Sequence, residues 1–385
     1  MTLRKEEEPI MIYRDFQNEK LSALGFGAMR LPVIDGNDRD IDEAKTQEMV
    51  ERAYEAGINY FDTAWGYHGG NSETVLGKCL AKFPRESFNI ATKFPGYDLN
   101  NMPKVKEIFE QQLEKTGMEY FDFYLFHNVC EMNIDAYLNP EYGIFDYLMA
   151  QKKAGKIRHL GFSCHGQYDV LKRFLDAYGE HMEFCQLQLN YLDWTFQGGK
   201  EKVDLLNQMN IPVWVMEPLR GGKLAHLSEA DEKILRQLRP DEDPAAWAFR
   251  FLQSQKGITM ILSGMSAIDQ LEKNLKTFAE DRKLNETEMK AIEDLAERML
   301  SVNTVPCTAC HYCVTHCPMG LDIPHLISLY NEHVYTGGGF IAPMALSALD
   351  DDKKPQACLH CRSCEAVCPQ QIRISEIMSD FAERI

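Results

Sequence analysis

The sequence predicts an α/β chain: a (β/α)8 barrel over residues 1–300, then a small, mostly helical, cysteine-rich domain over residues 301–385. Two observations carry this. Short β-rich runs alternate with helical patterns through the first 265 residues. Eight of the twelve cysteines crowd into residues 307–368.

The β-rich runs are Leu21–Gly27, Asn59–Ala64, Phe88–Phe94, Phe121–His127, Ile157–Ser163, Phe184–Asn190, Ile211–Glu217 and Ile258–Gly264. Most are near-continuous apolar stretches, as parallel strands covered on both faces require. Helical patterns lie between them. Ile41–Ala56 sets Ala44, Met49, Val50, Ala53 and Tyr54 at helical spacing and is ended by Gly57; Met102–Thr116 sets Val105, Ile108, Phe109 and Leu113 on one face before Gly117. Eight such alternations read as a closed barrel. Met11–Phe16 is expected to pair with Leu21–Ala23 as a hairpin across the barrel floor. Ala267–Phe278 and Glu286–Leu300 are expected as the last two helices of the barrel domain.

Composition narrows the function classes. At 45% hydrophobic and 26% charged residues the chain is an ordinary folded protein. There is no run of 18 apolar residues and no apolar stretch behind MTLRKEEEP, so neither a spanning helix nor a secretory signal is expected, and the expected location is cytoplasmic. A net charge of −17 without a basic patch argues against nucleic acid and membrane surfaces as partners.

The tail contains a doubled motif. Cys-x-x-Cys-x-x-Cys-x-x-x-Cys-Pro occurs at Cys307–Pro318 and again at Cys358–Pro369, and each copy leads into a similar continuation. Three cysteines at this spacing wrap one face of a cubane cluster, while the fourth, before proline, reaches toward the other cluster. Cys307, Cys310, Cys313 and Cys368 should therefore hold one [4Fe–4S] cluster, and Cys358, Cys361, Cys364 and Cys317 a second. Zinc prefers paired Cys-x2-Cys units and does not suit this pattern. Two helices, His325–Val334 and Pro343–Leu349, are expected between the copies, making the domain ferredoxin-like. An electron relay is the leading role for the clusters, with a structural role as its alternative.

Chemistry in such barrels sits where strands end. Those positions hold Asp62, Tyr67, Lys93, His127, Ser163-Cys164-His165, Gln186 and Glu217, and a Tyr, a Lys, an Asp and a His converge there from the second, third and fourth strands. A tyrosine, whose phenol titrates near ~10, donates a proton more readily beside an ammonium, which favours tyrosinate; a carboxylate orients that ammonium. Each residue alone has a plainer reading: a cap, a loop anchor, a solvated lysine, a core histidine. Arg30 and Arg220, near the mouth, read by default as solvated and otherwise as holders of a substrate carboxylate. Cys79 and Cys185 read as core thiols; Cys130 and Cys164, after the fourth and fifth strands at the reactive face, read as inert thiols with substrate contact as the alternative.

Leu24-Gly25-Phe26-Gly27-Ala28-Met29-Arg30, Phe61-Asp62-Thr63-Ala64 with Tyr67, Ser72-Glu73, Leu76-Gly77, Ala91-Thr92-Lys93 and Leu125-Phe126-His127-Asn128 together resemble the aldo-keto reductases over residues 10–280. With its tail, the chain resembles members carrying a C-terminal dicluster ferredoxin domain. The resemblance implies an NAD(P)H cofactor across the barrel mouth and the tetrad Asp62, Tyr67, Lys93 and His127, with Tyr67 as general acid. It further implies that Ser163 and Gln186 hold the nicotinamide carboxamide, with Cys164 where the family usually has Asn. Met216 would lie under the ring, Gly221, Gly222 and Lys223 at the pyrophosphate, and Gly264, Ser266, Gln270 and Asn274 at the adenosine end. Gln270 stands where members preferring NADP carry a basic residue, so NAD versus NADP stays open. No GxGxxG follows a strand, which excludes a Rossmann site.

The expected function is an oxidoreductase acting on a small carbonyl or alcohol, with a ferredoxin or flavoprotein as redox partner. Nicotinamide moves electrons in pairs and clusters move them singly. Two alternatives therefore stand: one-electron reduction of a barrel-bound substrate fed by the clusters without nicotinamide, or an electron-transfer or redox-sensing adaptor.

Overall fold

The computed structural model describes residues 11–307 and 310–385. The chain divides into two compact units, one of Asn133–Ile292 with the residues up to Val129, the other of Glu293–Ile385 with Cys130–Met132.

The strands of the first unit are β1 Tyr13–Phe16, β2 Glu19–Ser22, β3 Leu24–Gly27, β4 Tyr60–Asp62, β5 Asn89–Phe94, β6 Phe121–Val129, β7 Ile157–Cys164, β8 Cys185–Gln188, β9 Val213–Met216 and β10 Ile258–Gly264. β1 and β2 form an antiparallel hairpin. β3 to β10 are parallel and close into a barrel through the β10–β3 pairing. The expected run Leu21–Gly27 is thus divided at Ala23 between the hairpin and the barrel. The plug is present: the Phe16 ring lies edge-on to Trp214 at 5.0 Å and 5.7 Å from Phe123.

Side chains alternate along a strand, so every second residue points into the barrel. Tyr60, Ala91, Leu125, Phe184, Trp214 and Leu262 share one buried apolar cluster with Phe16 and Leu21. The next inward position on each of those strands is Asp62, Lys93, His127, Gln186, Met216 and Gly264. On four of those strands an apolar floor therefore gives way to a polar upper layer within two residues, while Met216 and Gly264 close the other two. On β7, Gly161 leaves room for the Phe184 ring, which a Cβ would meet at 2.5 Å.

Behind that layer lies a largely buried polar network, with only Lys115 partly exposed. Thr92 Oγ1 and Gln112 Nε2 donate to Glu73 Oε1 at 2.6 and 2.7 Å, and Lys115 Nζ donates to Glu73 Oε2 at 2.5 Å. Gln112 Nε2 also reaches Lys93 O at 3.0 Å. Ser72 Oγ donates to Ala28 O at 2.8 Å. A Cβ on Gly77 would meet Thr116 O at 2.2 Å. The Ser72-Glu73 and Leu76-Gly77 blocks thus pin the helix Ser72–Leu80 against the barrel and the helix Val105–Thr116.

The second unit is helical, with Ile323–Thr336, Ile341–Ser347 and Ile374–Arg384 around one apolar core. The last helix goes beyond the two expected there; its Ile374, Met378 and Phe381 fall on one face and are buried. Tyr330 Oη donates to Asp380 Oδ2 at 2.6 Å and joins the first of these helices to the last. Asn331 exchanges hydrogen bonds with both backbone groups of Val305, anchoring the approach to the first cysteine motif. Among the described residues no helix is long and apolar enough to cross a membrane.

Replacing Glu73 by Ala would leave the buried Thr92 and Gln112 facing a void and strip the partly exposed Lys115 of its carboxylate. The first unit should lose about 3–5 kcal/mol of stability, the range for breaking a buried ion pair from one side. All four tryptophans, Trp65, Trp194, Trp214 and Trp247, lie in that unit. A denaturant melt followed by tryptophan emission reads its stability; an unchanged midpoint would refute the bracing role.

Candidate active site and cysteine clefts

Lys93 Nζ donates to Asp62 Oδ1 at 2.5 Å and to Thr63 O at 2.7 Å. The other Asp62 oxygen accepts from Gln186 Nε2 at 2.7 Å. Lys93 is 1% exposed and Asp62 3%, so water screens neither charge. Burial pulls the Lys93 ammonium down, but Asp62 and then Tyr67 lift it, and it ends above its ordinary value. The lysine is therefore a fixed positive charge.

Tyr67 opens a short 3-10 turn, Tyr67–Gly70, five residues beyond Asp62. Lys93 Nζ lies 5.1 Å from the centre of its ring. Burial pushes the phenol above its ordinary value; Lys93 pulls it down but does not offset the burial. The sequence argument named only the downward pull. The phenol thus stays protonated well past neutrality. The next residue, His68, has φ 53° and is buried. Its Nε2 accepts from Leu31 N at 3.0 Å and its Nδ1 lies 2.7 Å from Asp38 O. His68 is thus a clamp between two loops and holds Tyr67 in place.

The His127 ring stands edge-on to Tyr67, with centroids 6.1 Å apart. Its Nδ1 is buried with no hydrogen-bond partner among the described residues. Burial, and then Lys93 and His165, hold its pKa well below the ordinary range, so the imidazole is neutral. Tyr137 Oη donates to His127 O at 2.7 Å and fixes the backbone there.

Tyr97 was missed by the sequence argument. Its ring stands edge-on to His127 at 5.2 Å. Burial, and then the charge of Tyr67, push its phenol up to about 12. It lies in the loop directly after β5, so the rule that located the tetrad extends to it. Arg220 departs from its default reading: it is buried, with Nε 3.2 Å from Asp193 Oδ1, and not solvated.

The predicted cofactor residues fall into four groups. Ser163 Oγ accepts from Asn128 N at 2.8 Å, which leaves its own proton to give, and it pairs in register with Gln186. Met216 ends β9 half-buried. Gly221 and Gly222 have φ 67° and 93°, conformations glycine adopts without strain, and Lys223 follows in a 3-10 turn. Gly264 and Ser266 lie against Arg30, with Ser266 Oγ donating to Arg30 O at 2.8 Å. Gln270 Oε1 accepts from Ser266 N at 2.8 Å, and Asn274 Nδ2 donates to Ser263 Oγ at 3.1 Å. In this state Gln270 therefore braces its own loop.

In the second unit the cysteines sort into two clefts. One, of about 310 Å³, is lined by Cys307, Cys310, Cys313 and Cys368. The other, of about 360 Å³, is lined by Cys317, Cys358, Cys361 and Cys364. Ile374 lines both. Among the described residues no three His, Cys, Asp or Glu side chains converge closely enough for a single metal ion. Four thiols spread around one cleft suit a polynuclear cluster better than zinc. Burial and neighbouring thiols push Cys313 up to about 11; burial, with Glu365, Cys317 and Cys358, does the same to Cys364. Such thiols ionise only when a metal takes them. Cys310 and Cys361 are exposed.

A sequence model of the 4Fe-4S dicluster domain matches residues 306–372. An NADH-specific methylglyoxal reductase of Escherichia coli (strain K12) is 28% identical over 221 residues, covering 53% of this chain and 65% of that protein. A probable aldo-keto reductase 1 of Glycine max is 28% identical over 214 residues, covering 54% of this chain and 58% of that protein. The chain thus spans less than two thirds of the length of both. The solved aldo-keto reductase AKR11C1 from Bacillus halodurans, in its holo form, superposes with a TM-score of 0.61 at 26% identity, covering 74% of this chain and 96% of that one. A sequence model of the aldo/keto reductase family matches residues 23–297, more than half of the chain. With the closed parallel barrel and its polar upper layer, this match establishes that the chain belongs to the aldo/keto reductase family.

Proposed function

We propose that the barrel reduces a small carbonyl, or oxidises the matching alcohol, with NAD(P)H, and that the second domain holds two [4Fe–4S] clusters. The convergence of Asp62, Lys93, Tyr67 and His127 at one end of the barrel carries this reading. A bound nicotinamide supplies the hydride. Tyr67 gives its phenolic proton to the carbonyl oxygen, and the Lys93 ammonium stabilises the phenolate left behind. Asp62 keeps Lys93 aimed at the tyrosine. The neutral His127 offers an N–H to the same oxygen. Tyr97 shields the site from water.

Ser163 and Gln186 hold the carboxamide, and Met216 lies under the ring. Gly221, Gly222 and Lys223 face the pyrophosphate; Gly264, Ser266, Gln270 and Asn274 face the adenosine end. Cys307, Cys310, Cys313 and Cys368 hold one cluster, and Cys317, Cys358, Cys361 and Cys364 the other, so that one chain carries both single-electron carriers and a two-electron site. The functional boundary falls at residue 300/301. A ferredoxin or flavoprotein is the fitting donor. The name of the Escherichia coli relative makes methylglyoxal the first substrate to assay.

A second reading has the clusters feed a barrel-bound substrate directly, with Tyr67 still the proton source. The use of Gln270 Oε1 by its own loop favours it. Anaerobic calorimetry with NADH and NADPH decides: binding of either supports the hydride route, and no binding at millimolar concentration removes it.

Tyr67→Phe should lower kcat by about 10²–10⁴-fold, the usual worth of general acid catalysis, and leave cofactor affinity unchanged. Because burial raises the phenol, carbonyl reduction should stay level through neutral pH and fall only above ~10, while alcohol oxidation, which needs phenolate, should rise with pH. Reduction that already declines near neutral pH would contradict a raised phenol.

Anaerobically purified protein should carry about eight iron atoms, and Cys310→Ala or Cys368→Ala about four. The double variant Cys310→Ala/Cys368→Ala should lose no more than either single one. Cys317→Ala/Cys368→Ala should lose nearly all. If the Cys310→Ala/Cys368→Ala variant instead loses nearly all its iron, the crossed ligand assignment is wrong.

A further inference from the structure

The loop after β9 has the form of an anion cradle, and one of the protein's own carboxylates lies in it. Arg220, Gly221 and Gly222 are three consecutive residues with positive φ, at 47°, 67° and 93°, and Glu217 stands at 54°. Runs of backbone N–H groups in such conformations form concavities that attract anions. Arg220 and Glu217 are not glycine, so this backbone is strained and persists only where its surroundings hold it. The holding contacts are specific. Gly221 N donates to Glu217 Oε2 at 2.6 Å. Arg220 N donates to Glu217 O at 3.0 Å, and Asn190 Nδ2 reaches the same carbonyl at 3.1 Å.

The other carboxylate oxygen, Glu217 Oε1, lies 3.4 Å from Arg30 Nη2, which comes from the loop after β3. One carboxylate therefore occupies both a backbone N–H and a guanidinium, two groups suited to phosphate oxygens. The side chains of Arg30 and Glu217 are 47% and 26% exposed, so the pair can be reached from solvent. A phosphate oxygen and the carboxylate cannot both accept from the Gly221 N–H.

We propose that Glu217 is a specificity-determining residue that serves as an internal counter-anion: it occupies the anion-facing groups of the 217–224 loop until a pyrophosphate-bearing ligand displaces it. This rests on the reading of that loop as the pyrophosphate site. The carboxylate keeps the strained loop in binding shape when no ligand is present. It also sets a threshold, because an incoming ligand must bring enough negative charge to win Arg30 and the Gly221 N–H away from it. Ligands without a pyrophosphate gain nothing from displacing it.

Glu217→Gln tests this, since the amide oxygen can still accept from Gly221 N while the charge is gone. Dissociation constants for NADH, NADPH, ADP-ribose, adenosine and inorganic pyrophosphate would be measured anaerobically by calorimetry. At low ionic strength the four phosphate-bearing ligands should bind about tenfold tighter to the variant, the scale of one like-charge contact near a surface, and adenosine should not change. The gain should shrink at about 0.5 M salt, where the contact is screened. Adding Arg30→Met should remove most of it, because no guanidinium is then left to be freed for the phosphate.

Glu217→Ser, which also lacks the charge, must shift affinity in the same direction. Both variants must match wild-type tryptophan emission and iron content. If the variants bind these ligands no tighter than wild type, the counter-anion role is overturned, while NADH or NADPH binding to wild type leaves the cofactor reading standing. If no dinucleotide binds any of the proteins, the cofactor reading fails, and pyrophosphate alone decides: tighter binding to the variants supports the counter-anion, and equal binding overturns it.

Discussion

The buried ion pair between Lys93 and Asp62 is the constraint on which the upper barrel depends. Two unscreened charges this deep are tolerable only if every remaining donor and acceptor is met. That requirement reaches outward: Lys93 needs the Thr63 carbonyl, Asp62 needs the Gln186 amide, and the backbone of Lys93 is held by Gln112, which itself leans on Glu73. Strands β4, β5 and β8 and two helices are thereby tied to one pair of atoms. The pair also sets the electrostatics of its neighbours. It keeps a positive charge beside the Tyr67 ring and helps hold His127 neutral.

Much of this was legible in the chain itself. Parallel strands buried on both faces leave unbroken apolar runs, and polar residues at or just before the end of a run mark where chemistry gathers. Asp62, Lys93 and His127 were readable on that rule alone, and the spaced cysteines were readable from coordination geometry. What escaped was whatever depends on two distant segments meeting. Tyr97 matters only because its ring turns toward His127. Arg220 reads as a surface residue until Asp193, on another loop, buries it. Glu217 looks like the end of a strand until a reversed backbone brings the Gly221 N–H onto its carboxylate. The size of the Tyr67 shift likewise depends on burial, which a charge count along the sequence does not contain.

The second unit repeats itself in three dimensions as well as in letters. Cys307 and Cys358 are 51 residues apart, and the backbone keeps that interval. His311 and Arg362 both have φ 61° directly after the second cysteine of their copies, and Gly320 and Gln371 have φ 61° and 53° just before their helices. Those helices begin at Ile323 and Ile374. Gln371 takes a conformation that glycine holds in the other copy, which shows the repeat preserved through geometry where composition has drifted.

The exchange of the fourth cysteine has a consequence for biosynthesis. Each cleft draws three thiols from one copy and one from the other. The first cleft therefore stays open on the nascent chain after Cys313 has been made, through some fifty further residues, until Cys368 leaves the ribosome. By then the thiols of the second cleft are already present. On the proposed cluster assignment the two sites become competent for metal within the same short interval of translation, so iron delivery would follow that stretch of synthesis rather than proceed copy by copy along it.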